Sequence, residues 1–489
     1  MGKVWQRLFR KEDPSVYEDK DSHLPRVLRV RDFLALGVGT IVSASIFTLP
    51  GVVAAKHAGP AVSISFLIAA LVAGLVAFAY AEMSAAMPFA GSAYSWINVV
   101  FGEFFGWIAG WALLAEYFIA VAFVASGLSA NFRGLLATIG VNFPAALAHP
   151  FGTNGGIVDL VAVVVMLLVG ILLSRGVSSA ARVENILVVM KVLAILLFLV
   201  VGLTAIHPEN FHPFFPAYHL NADGTPFGGW QGIYAGVSMI FLAYIGFDSI
   251  AANSAEAIDP GKTMPRGILG SLLIAVFLFV SVGLVLLGMF PYQDYANNAE
   301  PVGWALRHSG HAVVATVVES IAVLGMFTAL IGMAMAGSRL LYSFGRDGML
   351  PHGLGKLNSR KLPNRALAVL ITIGVIIGAF FPFAFLAQLI SAGTLIAFMF
   401  VTLGIYRLRP DIPKPRFRMP FYPVLPAVAF LGSLVVFLGL DIQAKLYSGV
   451  WFLIGCAIYF LYGMRHSALT KGSEVEKETE ALEQAKSDE

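Results

Sequence analysis

The stretch GVGTIVSASIFTLPG, residues 37–51, opens the first long apolar segment of a 489-residue chain. It holds Gly37, Gly39 and Gly51, the hydroxyl residues Thr40, Ser43 and Ser45, and Pro50 near its end. A helix that crosses a bilayer must satisfy its own backbone hydrogen bonds, and residues of low helix propensity at mid-depth work against that. The stretch therefore reads as a helix interrupted inside the membrane, and the interruption needs a purpose.

The chain around it is 58% hydrophobic and 12% charged, with a mean hydropathy of +0.79. That composition belongs to an integral membrane protein, not to a soluble domain. Twelve apolar runs recur, near 33–55, 61–87, 104–131, 157–174, 184–206, 230–254, 267–290, 312–337, 366–383, 386–406, 423–441 and 446–464. Each is long enough to cross a hydrocarbon core of roughly 30 Å. The first 31 residues are polar and carry eight Lys or Arg, so a cleavable leader is not expected. The single cysteine, Cys456, lies in the last run and cannot form an intramolecular disulfide. The stretch 467–489 is acidic and reads as a solvated tail.

Charge sets an orientation. With the N-terminus inside, 27 of the 32 Lys and Arg fall on the inner side, and only Lys56, Arg133, Arg307 and Lys445 fall outside. The positive-inside rule then predicts both termini in the cytoplasm of a cell-membrane protein. The longest outer connections, near 132–156 and 207–229, are rich in Pro, Gly and Asn and read as structured caps.

A second interruption falls in the sixth run, FLAYIGFDSIAANSAEAIDP at 241–260, where Gly246 and Asp248 break an aromatic and aliphatic sequence. The starts of the two interrupted segments lie five runs apart. Because five is odd, runs 1–5 and 6–10 cross the membrane in opposite senses, as in an inverted repeat whose discontinuous helices build a midplane site. A break around Ser43, Ala44 and Ser45 frees backbone N–H groups at a half-helix N-terminus, which favours an anion. A break around Ala243–Gly246 frees carbonyls that suit an ammonium. Together the two match the charged ends of an α-amino acid. Small residues also serve helix packing in membranes, which is the plainer account of either segment alone.

At these residues the chain resembles the amino acid–polyamine–organocation transporters, in the cationic amino acid transporter branch with its bacterial relatives. GVGTIVSASIF and HAGPA carry the likeness in the first run, with YAEMSAAMPFAGSAYSW after the second and GWALLAEYFIAVAFVASG in the third. FLAYIGFDSI, GRDGMLP and FRMPFYPVLP extend it, so that it covers about 31–466. The resemblance implies an all-α membrane protein of twelve transmembrane helices, with a LeuT-type 5+5 inverted repeat and two further C-terminal helices. The segments would be 1–31 inside, 32–206 the first repeat, 207–229 an outer loop, 230–406 the second repeat, 407–466 the last two helices and 467–489 the inner tail.

Carried over by position, the substrate carboxylate would meet Ser43, Ala44 and Ser45, and the ammonium the carbonyls of Leu242, Ala243 and Ile245. Where the family usually has Gly-Thr-Gly, this chain has Ser-Ala-Ser at 43–45, and Leu242 stands where the family often has Phe. The added side chains crowd the backbone site, which favours small or aliphatic neutral L-amino acids; an exchanger or a carrier of cationic amino acids is the alternative.

Lys191 lies seven residues into the fifth run, where it either snorkels to the interface or serves a pathway. By resemblance it occupies the place of a coupling cation, so proton-coupled symport is expected. Glu116, in the third run, is either a cavity carboxylate for a basic substrate or a proton, or a glutamate buried against hydroxyls and backbone. Met333 and Ala334 match the side-chain pocket region, although Met333 also suits simple packing. Glu82, Asp248 and Glu256 lie toward the inside and read as gating groups, with Arg339, Arg346 and Asp347 as candidate partners.

A channel would show a ring of like charges or a continuous polar stripe, and an enzyme a nucleophile beside a base. The sequence carries neither pattern. Partners are then the L-amino acid, protons and the lipid bilayer, with no cofactor, no metal and no nucleic acid, and the unit is a monomer.

Overall fold

A computed structural model describes residues 9–11, 26–89, 92–175, 180–298, 300–360, 362–411 and 416–467. The acidic tail and most of the N-terminal segment lie outside the described residues. The first interrupted run forms two helices, α1 (Val30–Ile41) and α2 (Ala44–Val53). A π-helical turn at Ala54–Ala58 and a 3₁₀ turn at Gly59–Ala61 lead directly into α3 (Val62–Ala86). There follow α4 (Ala93–Phe101), α5 (Glu103–Thr138), α6 (Leu160–Arg175) and α7 (Ala180–Leu203). A small antiparallel hairpin, β1 (His219–Leu220) with β2 (Pro226–Phe227), caps one end of the bundle.

The sixth run is also divided, into α8 (Gly229–Ile240), a 3₁₀ turn at Phe241–Tyr244, and α9 (Phe247–Ala252). The chain continues through α10 (Pro260–Met289), the short α11 (Pro301–His308), α12 (Ala312–Arg346), α13 (Asn364–Phe380), α14 (Phe383–Asp411), α15 (Val424–Leu438) and α16 (Ile442–Ile458). By length and composition, eight helical stretches among the described residues suit a membrane crossing, and three shorter apolar helices accompany them. The break removes α1 from a count by length, and the run from α2 through α3 merges two predicted segments into one stretch.

Several helices outrun their apolar segments. α12 continues to Arg346, past the predicted 337, and α5 to Thr138, past 131. Once outside lipid the backbone can stay helical with polar side chains, so hydropathy marks the membrane and not the helix end.

The layering follows from which faces are wet by lipid. α5 is buried along nearly all of its first 28 residues and packs against α12, α14, α4, α13 and α6. Rim helices instead expose large apolar side chains at helical spacing. On α7, Val189, Leu193 and Val200 stand outward, and on α10, Leu273 and Phe277 do so. Exposed Leu and Val at i, i+4 and i+11 are costly in water and ordinary against hydrocarbon chains. The interrupted helices sit between this rim and α5, so their freed polar groups are shielded from lipid.

Candidate functional site

The first break is two residues wide. Val42 (φ −85°, ψ 74°) and Ser43 (φ −111°, ψ −141°) leave the helical region between α1 and α2. The Ser43 N–H donates to Ile41 O at 3.0 Å instead of reaching back to Gly39. The Gly39 carbonyl is thereby released from the helix ladder. Beyond the break, Ser43 is the N-cap of α2 and makes no side-chain cap, so the first N–H groups of α2 point into the break. Ser43 and Ser45 are both buried, and the Ser45 hydroxyl donates to Ile41 O at 3.5 Å.

The second break is built from Ile245 in extended backbone (φ −69°, ψ 141°) and Gly246 at φ 133°. An L side chain is strained at that φ, and a Cβ on Gly246 would also sit 3.1 Å from the Ile41 backbone, so only glycine fits. The Gly246 N–H donates to the Asp248 carboxylate at 3.0 Å rather than to Leu242, and the Ser249 N–H donates to Gly246 O rather than to Ile245. Leu242 O accepts from the Ile245 N–H instead, at 3.1 Å. Of the three carbonyls expected to face an ammonium, Leu242 is thus partly engaged already.

The two breaks lie side by side. The Thr40 hydroxyl donates to Gly246 O at 3.3 Å, and the Ser249 hydroxyl contacts it at 3.4 Å. α2 also packs on the 3₁₀ turn, so the N–H end of one break and the carbonyl end of the other lie on neighbouring elements.

Lys191 reaches this place from α7. It is 3% exposed, and its Nζ donates to the released Gly39 carbonyl at 2.9 Å. A Cβ on Gly325 of α12 would collide with the Lys191 stem, so that glycine provides the channel through which the side chain passes. Lys191 is therefore directed inward and does not snorkel. Glu116 is likewise buried, and its Oε2 accepts from the Thr394 hydroxyl at 2.6 Å. Glu116 is thus packed against a hydroxyl, one of the two arrangements drawn from the sequence. Met333 is half-buried against the core, and Ala334 is fully buried.

The α4 end of the bundle is closed. Glu82, fully buried, accepts from Arg409 Nε and Nη2 at 2.9 Å each and from the Met419 N–H at 2.7 Å. The Ser92 hydroxyl donates to Asp248 O, and the Ser254 hydroxyl to Phe89 O. The Tyr94 hydroxyl donates to Asp347 at 3.3 Å.

These contacts correct the expected pairings. Arg346 pairs with its neighbour Asp347, and Arg339 is exposed and pairs with none of the three gating carboxylates among the described residues. Glu256 contributes through its backbone, accepting from the Val27 and Leu28 N–H groups at 2.9 Å each. The partner of Glu82 escapes sequence reasoning because Arg409 lies 327 positions away in the basic run after the tenth segment, where a solvated arginine looks the same as a buried one.

At the hairpin end, by contrast, a cavity of about 1150 Å³ opens between α2, α5, α14 and the connecting loops. Val52, Ser126, Ala130 and Phe383 line its depth, and Lys56, Arg133, Asp159 and Glu300 its wall. Phe383 stacks on Phe123 with centroids 4.2 Å apart, between this cavity and the Ala44–Gly127 contact.

Comparison with known proteins agrees with this architecture. The amino acid permease family profile matches residues 28–468. The branched-chain amino acid permease BcaP of Lactococcus lactis subsp. cremoris (strain MG1363) is 66% identical over 94% of this chain and 98% of its own length. The methylthioribose transporter of Bacillus subtilis (strain 168) is 37% identical over 95% and 99%. The vacuolar cationic amino acid transporter 2 of Arabidopsis thaliana is 34% identical over 83% of this chain and 64% of its own length. A multi-pass helical bundle with two broken helices meeting at its centre is thus a member of the amino acid permease family.

Proposed function

We propose that this protein carries aliphatic L-amino acids, branched ones foremost, into the cell by alternating access coupled to protons. The observation that carries the reading is the pair of adjacent breaks, joined by Thr40 and Gly246. The substrate carboxylate docks at the start of α2, on Ser43, Ala44 and Ser45. Its ammonium docks on the Ala243 and Ile245 carbonyls, with Leu242 at the edge. An uncharged side chain is supported by Glu116, the midplane carboxylate, whose Oε2 is already engaged by the Thr394 hydroxyl. The name of the 66% identical relative points to branched chains.

The architecture behind this reading is a twelve-helix bundle with a 5+5 inverted repeat, the breaks falling five segments apart, and it works as a monomer. Both termini face the cytoplasm. The hairpin end, with the open cavity, then faces outward, and the sealed α4 end faces inward. Lys191 couples the proton: its ammonium holds the Gly39 carbonyl, and deprotonation would release that hold on the first break. Glu82, Asp248 and the Glu256 backbone belong to the inner closure.

The test is uptake of labelled leucine, isoleucine and valine into liposomes holding the purified protein under an imposed pH gradient. Saturable uptake that collapses with a proton ionophore is expected. Uptake that ignores the gradient, or that requires sodium, would overturn the coupling, and competition by arginine but not by leucine would overturn the substrate class.

A further inference from the structure

The hairpin end holds a second group of buried charges. Arg307 of α11 lies between two carboxyls: its Nη2 donates to Glu300 Oε1 at 2.5 Å, and its Nη1 donates to Glu319 Oε1. Glu319, on α12, is 1% exposed, and the Glu300 side chain is 18% exposed. The remaining oxygens, Glu300 Oε2 and Glu319 Oε2, are buried and receive no hydrogen bond from any described residue. The two carboxyl groups nevertheless converge, Glu300 Oε2 and Glu319 Oε1 both crowding the Cβ position of Gly134. Glycines make the room: a Cβ on Gly134 of α5 would run into both carboxyls, and one on Gly303 of α11 into that of Glu319.

Two ionised carboxylates against one guanidinium would leave an uncompensated negative charge out of water, and two buried acceptor oxygens with no hydrogen bond. Each fault costs free energy. A single shared proton removes both, because one carboxyl then donates to the other and the cluster becomes neutral. A metal cation is a poor match, since Arg307 already holds one edge of both carboxyls with positive charge and too few oxygens remain.

We propose that Glu300 and Glu319 form a proton-binding site in the wall of the outer vestibule, filled while the carrier faces outward. The site rests on the proton-coupled reading above and adds a station distinct from Lys191. Glu300 lines the cavity, which gives the proton a route from outside. α11 packs on α2, where a Cβ on Gly51 would meet Pro301 at 2.7 Å. Loss of the proton sets like charges against each other beneath α11, and a shift of α11 is passed to α2, whose first turn receives the substrate carboxylate.

The charged groups facing the pair come from several elements. Arg133 of α5 acts on Glu300, and its Nε donates to the Ser129 hydroxyl. Asp159, just before α6, accepts from Ser129 at 2.5 Å. His308 stacks on Trp304 within α11, and His311 contacts Ser309. Lys191 of α7 meets α12 at Gly325, six residues or roughly 9 Å beyond Glu319 at the helical rise. α2 carries no titratable side chain, and α10 carries Lys262 and Arg266 only at its opposite end.

The test pairs spectroscopy with transport. Infrared difference spectra of the wild type in liposomes at neutral pH should contain a protonated-carboxyl band that Glu319→Gln removes, with Glu300→Gln as the second variant should the first fail to fold. In uptake, KM of the wild type should rise about tenfold per unit of external pH above the site's midpoint, and in either variant that dependence should flatten. A band that survives both substitutions, or a KM profile superimposable on that of the wild type, would overturn the proposal. Wild-type uptake indifferent to a pH gradient, with the band still removed by substitution, would keep the proton site and sink the coupled-transport reading.

Discussion

The two helix breaks solve opposite electrostatic problems with the same device. In the first, α1 ends with carbonyls and α2 begins with N–H groups; Lys191 binds the Gly39 carbonyl and leaves the N–H side open. In the second, the donor side is taken, because the Asp248 carboxylate accepts the Gly246 N–H. The Ala243 and Ile245 carbonyls are left. At each break one protein side chain satisfies one pole and leaves the other for the proposed substrate site. A broken membrane helix has both poles, and only one can serve a given end of an amino acid, so the other must be satisfied to keep the break from collapsing or filling with water.

The largest effect should come from the pole left open in the first break. Ser43→Val or Ser45→Val is expected to abolish uptake, a loss of about 100-fold or more, equivalent to about 2.7 kcal/mol, while the protein stays folded in a thermal-unfolding assay. Bulk and β-branching disturb the first turn of α2. Methyl esters of the substrates, which lack the carboxylate charge, should compete poorly; esters that compete as well as the free acids would break the assignment of this wall.

Lys191 sharpens the comparison from the other side of the same break. Lys191→Ala should lose gradient-driven accumulation, yet retain exchange of labelled for unlabelled substrate, because the N–H wall remains. Lys191→Arg should fail as well, since guanidinium does not deprotonate in the working range and the passage beside Gly325 fits a narrow stem. Normal accumulation by the Arg variant would remove Lys191 from proton coupling.

At the second break, Asp248→Asn keeps an acceptor for the Gly246 N–H but loses the charge. A charge-assisted hydrogen bond is worth about 1.5–3 kcal/mol, and an amide recovers part of it, so KM should rise about fivefold with a smaller change in kcat. An unchanged KM would mean that the second break holds its shape without this carboxylate.

The smallest effect is expected at the inner closure. Glu82→Gln weakens the pairing with Arg409 and should admit water more often from inside. Maleimide labelling of Ser84→Cys in a Cys456→Ser background would then speed up about threefold, if the closed state loses on the order of 0.7 kcal/mol. Equal labelling rates would assign Glu82 to folding alone.

Both breaks are legible in the sequence because clustered low-propensity residues weaken a helix where lipid offers its backbone no hydrogen bonds, and the two clusters fall in corresponding runs of the two halves. Lys191 and Glu116 are legible for a related reason: an ionisable residue in the middle of such a run is expensive and must be paired. Their partners are not. Gly39, Gly325 and Thr394 are ordinary residues until folding sets them against a charge, and Arg409 sits among other basic residues in a connection that looks solvated. Glu319 lies seven residues into its apolar run, as Lys191 does, and carries the same signal; Glu300 does not, since a carboxylate just before a helix is commonplace.

Composition and the spacing of apolar runs were enough to determine a multi-pass helical protein and where its helices would be interrupted, because hydrocarbon imposes the same demand on every backbone that crosses it. Which pole of each break is capped and which stays open was decided only by tertiary structure. The interactions that decide it join residues 152 positions apart in Lys191 and Gly39, and 278 apart in Glu116 and Thr394. No local rule reaches across such separations: periodicity reports which face of a helix is apolar, whereas the pairing of buried charges depends on which helices become neighbours once α5 stands at the centre.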